Sequence, residues 1–166
     1  MQNLSTTHRD EIKNENEIYV PAGKGRTSFV DARDIAEVAF TLLSGAQHLN
    51  KSYELTGSEA LSYLEVAEIL SDVLKKPVAY RNPSLLSFIW RNWRKHKNLS
   101  FVLVMAIIYT TARFGQAGLI TEELPKLLGR KPTSLTAGTK AHLVSTVCRR
   151  LQRLLDLISQ AGQTTG

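Results

Sequence analysis

The sequence predicts an α/β domain with short strands and a helical carboxyl end. Two stretches support this fold class, because in each a run of strand-forming residues precedes a helix with an apolar stripe. The first runs from Gly25 to Leu43, and in the second, from Ser52 to Arg81, a further strand follows the helix. A strand–helix–strand order favours a mixed α/β unit over a helical bundle. The strands expected lie near residues 17–20, 27–30, 52–55 and 78–81.

The first elements are short. Residues 1–13 are typical of a helix with Leu4, His8 and Ile12 on one side, and a strand follows. The segment Pro21–Gly25 then predicts a hairpin turn or a bend. Its two glycines do not indicate a phosphate-binding loop, because a dinucleotide fingerprint lies between a strand and a helix, whereas Gly25 leads into a strand.

A capped amphipathic helix is predicted to follow strand 27–30. Asp31 is a favourable N-cap residue, and Asp34 resembles the second member of a capping box. Apolar residues then recur at helical spacing and predict one buried face. They are Ile35, Val38, Ala39, Leu42 and Leu43.

Similar signals mark the later helices. Ser62 and Glu65 form a capping box for a helix that ends before Pro77, and Ser84 precedes an aromatic helix. The apolar run Phe101–Tyr109 is too short to span a membrane, which takes about 20 residues. Thr121 is expected to cap a short helix that ends at Gly129.

Charge and cysteine content limit the function classes. The 166 residues carry a formal net charge of +6, which permits weak attraction to nucleic acid or anionic lipid without demonstrating it. Two basic clusters, 91–97 and 140–153, are more simply read as solvated helix faces. The single cysteine, Cys148, excludes an internal disulfide and fits a reducing, cytoplasmic location.

One stretch also carries a family resemblance. The pattern Gly-x-Gly-x-Thr-Ser-Phe-Val-Asp-x-Arg-Asp-Ile-Ala, residues 23–36, resembles the second half of NmrA-like proteins, which are atypical short-chain dehydrogenase/reductases. The resemblance covers residues 1–135 and implies a partial Rossmann-like domain, the substrate-side lobe, without its amino-terminal nucleotide-binding half. Residues 136–166 depart from the family pattern and predict a basic amphipathic helix and a polar tail, with a stripe from Leu143 to Ile158.

The resemblance implies where ligands would lie. A complete family protein binds NAD(P) and a small-molecule substrate, whereas this chain is not expected to bind the cofactor tightly. Asn3 is the candidate for a position near the cofactor, although a helix cap or an exposed polar residue explains it more simply. Phe88, Trp90 and Tyr109 are candidates for the substrate pocket. An uncovered apolar face would favour a homodimer.

The sequence does not decide whether the chain is an enzyme. It has no Tyr-x-x-x-Lys pair, in which the lysine would tune a catalytic phenol. The nearest pattern is Tyr109 with Arg113, which we interpret as a core tyrosine followed by a surface arginine. The four histidines show no metal-ligand spacing, and Cys148 is best read as a small buried hydrophobe.

The resulting hypothesis is a substrate-side fragment of an NAD(P)-dependent NmrA-like oxidoreductase that is inactive on its own. One alternative is a non-catalytic NAD(P)-sensing regulatory protein. The other is a basic protein bound to a membrane surface or nucleic acid. At a membrane, Trp90, Trp93 and the apolar run Phe101–Tyr109 beside the first basic cluster would form the contact. The composition and charge pattern favour this last class least.

Overall fold

The computed structural model describes residues 4, 6–45, 48–95 and 98–144. A π-helical turn, Glu11–Glu15, precedes the first strand, and residues 135–144 are helical. Between them the order is β1 (Glu17–Tyr19), β2 (Arg26–Ser28), α1 (Ala32–Ser44), β3 (Ala60–Ser62), α2 (Tyr63–Leu74), β4 (Ala79–Arg81), α3 (Leu85–Arg94), α4 (Leu99–Arg113) and α5 (Glu123–Leu128).

The strands pair in two separate two-stranded sheets within the described residues. β1 and β4 are parallel, with Ile18 opposite Tyr80, whereas β2 and β3 are antiparallel, with Thr27 opposite Leu61. The predicted strands near 17–20, 27–30 and 78–81 are therefore confirmed. The segment Pro21–Gly25 contains a turn in which the Gly25 N–H donates to the Ala22 carbonyl at 3.0 Å. It is not a hairpin, because β1 and β2 belong to different sheets.

The predicted strand at 52–55 is wrong. Residues 51–57 form no ladder, and β3 begins only at Ala60. The main chain of Glu54 is bound by side chains: its N–H donates to the carboxylate of Glu123, and its carbonyl accepts from the Thr121 hydroxyl at 2.6 Å. The Thr121 N–H donates to the hydroxyl of Thr56 at 2.7 Å. These bonds satisfy backbone groups that a neighbouring strand would otherwise pair.

Helix α1 has the predicted cap but not the predicted buried face. The Asp31 carboxylate accepts from the N–H of Arg33 at 2.9 Å. Val38 is fully buried, but Ile35 is exposed and Leu43 is 88% exposed. The prediction of one continuous buried face is wrong, because α1 packs against α5 while Ile35 and Leu43 remain exposed.

Asp34 has a different role from the predicted support for the cap. It is buried, and its carboxylate accepts from the backbone N–H of Thr133 at 2.6 Å and from Arg130 at 2.9 Å. The carboxylate therefore fastens the segment before the last described helix to α1. Such charge-assisted bonds satisfy a buried carboxylate that would otherwise be costly.

The later helices agree better with the sequence. The capping box of Ser62 and Glu65 is present at the start of α2, and Ser84 caps α3. Gly129 ends α5 with a φ of +66°, but the prediction that Thr121 caps α5 is wrong, because its hydroxyl is engaged with residues 54–56. The described part of the amino-terminal segment buries Leu4, His8 and Ile12 together, as predicted.

One apolar core lies between β1, α2, α3 and α4. Its deeply buried members include Ile18, Val66, Phe88 and Val102 from these elements. No helix among the described ranges combines the length and the apolar character needed to cross a bilayer. Leu135, at the predicted boundary between two units, belongs to the core, and that division remains a prediction.

Candidate functional site

A carboxylate, an imidazole and a phenol lie together inside the core. Nδ1 of His8 lies 2.9 Å from the Glu11 carboxylate, and Nε2 of His8 hydrogen-bonds the hydroxyl of Tyr109. All three side chains are at most 5% exposed. If the proton of the neutral imidazole is on Nδ1, then Nδ1–H donates to the Glu11 carboxylate and Nε2 accepts from the Tyr109 hydroxyl. Both ring nitrogens of His8 then have a hydrogen-bond partner.

The Tyr109 ring lies in a cluster of aromatic rings. Its centroid is 5.7 Å from that of Phe88 and 5.8 Å from that of Tyr63, both in edge-to-face contacts. Tyr63 in turn stacks on Tyr80 at 6.1 Å. Burial raises the pKa of Tyr109 and raises the pKa of Tyr63 to about 12. Both phenols are therefore neutral hydrogen-bond donors near neutral pH.

The interpretation of Tyr109 as a core residue is confirmed. Arg113 is exposed one turn further along α4, where its side chain passes over Gly23. The hydroxyl of Tyr109 is directed to His8 instead. Tyr109 and Arg113 therefore do not reproduce the tyrosine–lysine arrangement of a dehydrogenase.

A second feature is an open apolar groove between α3 and α4. It has a volume of about 660 Å³. Its lining residues are Leu86, Ser87, Ile89, Trp90, Trp93 and Leu99. Trp90 is 56% exposed and Trp93 is 58% exposed, and the guanidinium of Arg94 lies 4.7 Å from the centre of the Trp90 ring. A cation over an indole face is a favourable contact.

Much of the first basic cluster is paired. Arg91 binds the carboxylates of Glu15 and Glu17, and Lys95 binds Glu15. The Arg91 guanidinium also lies 3.8 Å from the centre of the Tyr19 ring. The prediction of a solvated basic face is therefore wrong for Arg91, because the carboxylates of Glu15 and Glu17 neutralise its charge.

The predicted site residues lie in different places. Phe88 and Tyr109 touch each other in the core, whereas Trp90 faces the groove on the outside of α3. The proposed pocket made of all three remains a prediction. Asn3, Cys148 and most of the second basic cluster lie outside the described residues.

Sequence reasoning missed the carboxylate–imidazole–phenol cluster. The spacing of His8 and Glu11 places both on one side of a helical turn, which could have drawn attention to them. Tyr109 is 101 residues further along the chain, and no local pattern links it to His8.

Side chains occupy part of each capped helix amino terminus. The first four N–H groups of a helix have no partner within it and can bind a phosphate. At four described helices and at the last one, a side chain accepts from one of these groups. These side chains are Asp31, Ser62, Ser84, Asn98 and Ser134. Helix α5 lacks such a cap but has only six residues.

Two similar proteins are named as a reductase and an oxidoreductase. The NAD(P)H azoreductase of Xenophilus azovorans is 34% identical over 142 residues, which are 86% of this chain and 49% of that protein. An uncharacterized oxidoreductase of Bacillus subtilis, YesF, is 31% identical over 149 residues, covering 86% of this chain and 50% of that protein. No protein-family model matches the chain.

Solved structures of the same class share the fold. The Citrobacter sp. triphenylmethane reductase complexed with NADP(H) has a TM-score of 0.70 and 28% identity, covering 76% of this chain and 44% of that one. The NADPH-dependent quinone oxidoreductase QOR2 of Escherichia coli complexed with NADPH has a TM-score of 0.72 and 26% identity, covering 78% and 46%.

The chain spans about half the length of the curated relatives it matches. The predicted α/β, partial Rossmann-like fold with short strands is confirmed by the structural matches. The family resemblance is confirmed as well: the chain corresponds to the carboxyl-terminal part of an NmrA-like NAD(P)-binding protein.

Proposed function

We propose that this chain supplies the substrate side of an NAD(P)-dependent oxidoreductase and does not turn over the cofactor on its own. The observation that carries the proposal is the 34% identity to an NAD(P)H azoreductase over 86% of the chain. The complete family protein would bind NAD(P) and act on a small molecule. A cytoplasmic location belongs to the same proposal, on the ground of the single cysteine.

Weak cofactor binding by this chain is supported by its sequence and by its helix starts. The sequence contains no Gly-x-Gly-x-x-Gly. The side chains that cap the described helices compete with a phosphate for one N–H group at each helix start. We therefore assign no step of hydride transfer to residues of this chain.

The groove between α3 and α4 supports the substrate-side role. Relatives are named for azo, triphenylmethane and quinone compounds, which carry conjugated, largely apolar rings. An indole face stacks well on such rings. We propose Trp90 as the residue that contacts substrate, with Phe88 and Tyr109 holding α3 and α4 from the core side.

Tryptophan fluorescence tests this role directly, because the two tryptophans of the chain both line the groove. A quinone or a triphenylmethane dye titrated into the chain should quench the emission with a saturable curve. Trp90→Ala should weaken the apparent affinity at least tenfold. Phe40→Ala, which removes an exposed aromatic ring from α1, should leave it unchanged.

Two results would contradict the proposal. Quenching that never saturates, or that Trp90→Ala does not alter, would remove the substrate-side role of the groove. Steady consumption of NADPH by the chain with a quinone would show that it is active alone. The sensor and the membrane or nucleic-acid alternatives stay predictions. The pairing of Arg91 and Lys95 with carboxylates reduces the attraction of this chain to an anionic membrane or to nucleic acid.

A further inference from the structure

Helix α4 presents an apolar side to solvent. Leu103, Val104, Ile107 and Ile108 are 44% to 65% exposed, and their spacing places them on one side of the helix. The opposite side, which includes Val102 and Tyr109, is buried in the core. No charged residue occurs between Lys97 and Arg113 in the sequence. A soluble protein rarely leaves such a strip uncovered.

This side is continuous with the groove. Leu99, Leu103 and Ile107 follow one another at intervals of four residues and form a ridge along α4, and Leu99 also lines the groove. We define the α3–α4 face by its exposed large apolar residues. They are Leu86, Trp90, Trp93, Leu99, Leu103, Val104 and Ile107.

The size of the α3–α4 face suits a protein partner. From their exposed fractions, and with on the order of 150–250 Å² for a large side chain, these residues offer roughly 800 Å². A stable protein–protein interface takes about 800 Å² from each partner. The α3–α4 face thus has enough apolar area for one complete interface.

The charges near the face argue for a protein partner and against anionic lipid. A membrane-surface helix needs cations that reach the headgroups. Arg91 and Lys95 are bound to Glu15 and Glu17, and Arg94 lies over the Trp90 ring. The ridge of α4 itself carries no charge of either sign, so two identical ridges can meet without repulsion.

We infer that the α3–α4 face is the surface on which a second copy of this chain binds. Two copies related by a two-fold axis would bring the two α4 ridges together. Each ridge would then lie in the groove of the partner copy. Such a pair covers the open side of each groove, including Trp90, so a second copy and a bound substrate compete for the groove. The pairing itself needs neither cofactor nor substrate.

Sedimentation velocity over a range of concentrations tests the pairing, without dye or NADPH. The wild-type chain should sediment as a dimer, with dissociation on dilution. Ile107→Glu places a charge in the middle of the ridge and should weaken dimerisation at least a hundredfold. Leu43→Glu, which alters the exposed apolar side of α1, should remain dimeric. Both residues are exposed, so circular dichroism should show wild-type folding in each variant.

Several outcomes would overturn the inferred pairing. One is a wild-type chain that stays monomeric at every concentration. Co-sedimentation of that monomer with phosphatidylserine vesicles would show that the face binds lipid instead. Another is a dimer that Leu43→Glu dissociates and Ile107→Glu does not, since that would place the interface on α1. If Ile107→Glu fails to fold, Leu103→Lys on the same ridge replaces it, and persistence of the dimer in that variant counts against the α3–α4 face.

Discussion

The Nε2 atom of His8 hydrogen-bonds the hydroxyl of Tyr109 in the centre of the core, and this contact joins the amino-terminal segment to α4. Both side chains are nearly inaccessible to water. The His8 imidazole also contacts the Glu11 carboxylate, and Glu11 begins the π-helical turn that precedes β1. The buried network therefore fixes how the first described segment packs on the aromatic cluster.

Removing the Tyr109 hydroxyl should be costly. In Tyr109→Phe the buried Nε2 of His8 loses its partner, and an unsatisfied buried polar group costs about 1–3 kcal/mol of unfolding free energy. His48 and Tyr53 make a similar imidazole–hydroxyl contact of 2.8 Å in a less buried place. Tyr53→Phe should therefore cost under about 1 kcal/mol. Urea unfolding of the two variants gives both values, and equal losses would contradict the role of burial.

Stability should fall in alkaline solution. The pKa of Tyr63 is raised by burial from its ordinary 10.0 to about 12 in the folded chain. Above the ordinary value the unfolded chain releases this proton while the folded chain retains it, so unfolding is favoured as pH rises. The stability is fully present below pH 10.0 and is lost towards about pH 12, amounting to about 3 kcal/mol from Tyr63.

The raised pKa of Tyr109 adds to the same alkaline loss. Urea unfolding measured at increasing pH should show the decline, and Tyr63→Phe should make it shallower without abolishing it. A free energy of unfolding that stays constant through the tyrosine range would contradict the buried, neutral state of these phenols.

Gly25 should tolerate no side chain. A Cβ there would lie 2.0 Å from the carbonyl oxygen of Ala112 and 2.8 Å from Cα of Arg113, both backbone atoms of α4. Gly25→Ala must displace α4 from the bend and should cost about 3 kcal/mol or more. Gly115→Ala is the matched control, since its φ of +80° is strained but no atom lies within 4 Å. Its cost should be about 1 kcal/mol. Thermal or urea unfolding distinguishes the two, and a mild Gly25→Ala would contradict the close approach.

Asp34 should contribute more stability than an ordinary surface carboxylate. Asp34→Ala removes the acceptor for the Thr133 N–H, the Thr133 hydroxyl and Arg130, and should cost about 2–3 kcal/mol. Asp72→Ala breaks the exposed ion pair with Lys75, which solvent screens, and should cost much less. Chemical denaturation measures both, and similar losses would mean that Asp34 does not fasten residues 130–133 to α1.

Local chemistry made several elements predictable. The caps at Asp31, Ser62 and Ser84 and the end of α5 at Gly129 each depend on residues within one or two turns, and all four are present. Caps are local because the side chain binds N–H groups of its own helix. Strands 17–20, 27–30 and 78–81 were likewise recognisable from short β-forming runs between turn residues.

Distant contacts explain what the sequence did not reveal. Helical spacing identifies an apolar side of α1, but it does not say whether another element covers it, and here Ile35 and Leu43 are exposed. The segment 51–57 has strand-forming residues, yet Thr121 and Glu123 bind its backbone from far along the chain. The buried partner of His8 is equally remote. Of the candidate site, only the aromatic character of α3 was recognisable locally.

The most direct test is a calorimetric titration of NADPH and NADH into the purified chain, with near-ultraviolet circular dichroism confirming that it is folded. A folded chain whose helix starts are capped by its own side chains should give no saturable heat with either cofactor. Saturable micromolar binding would contradict the proposed substrate-side role without a cofactor site, and would mean that these residues form a dinucleotide site without a glycine fingerprint.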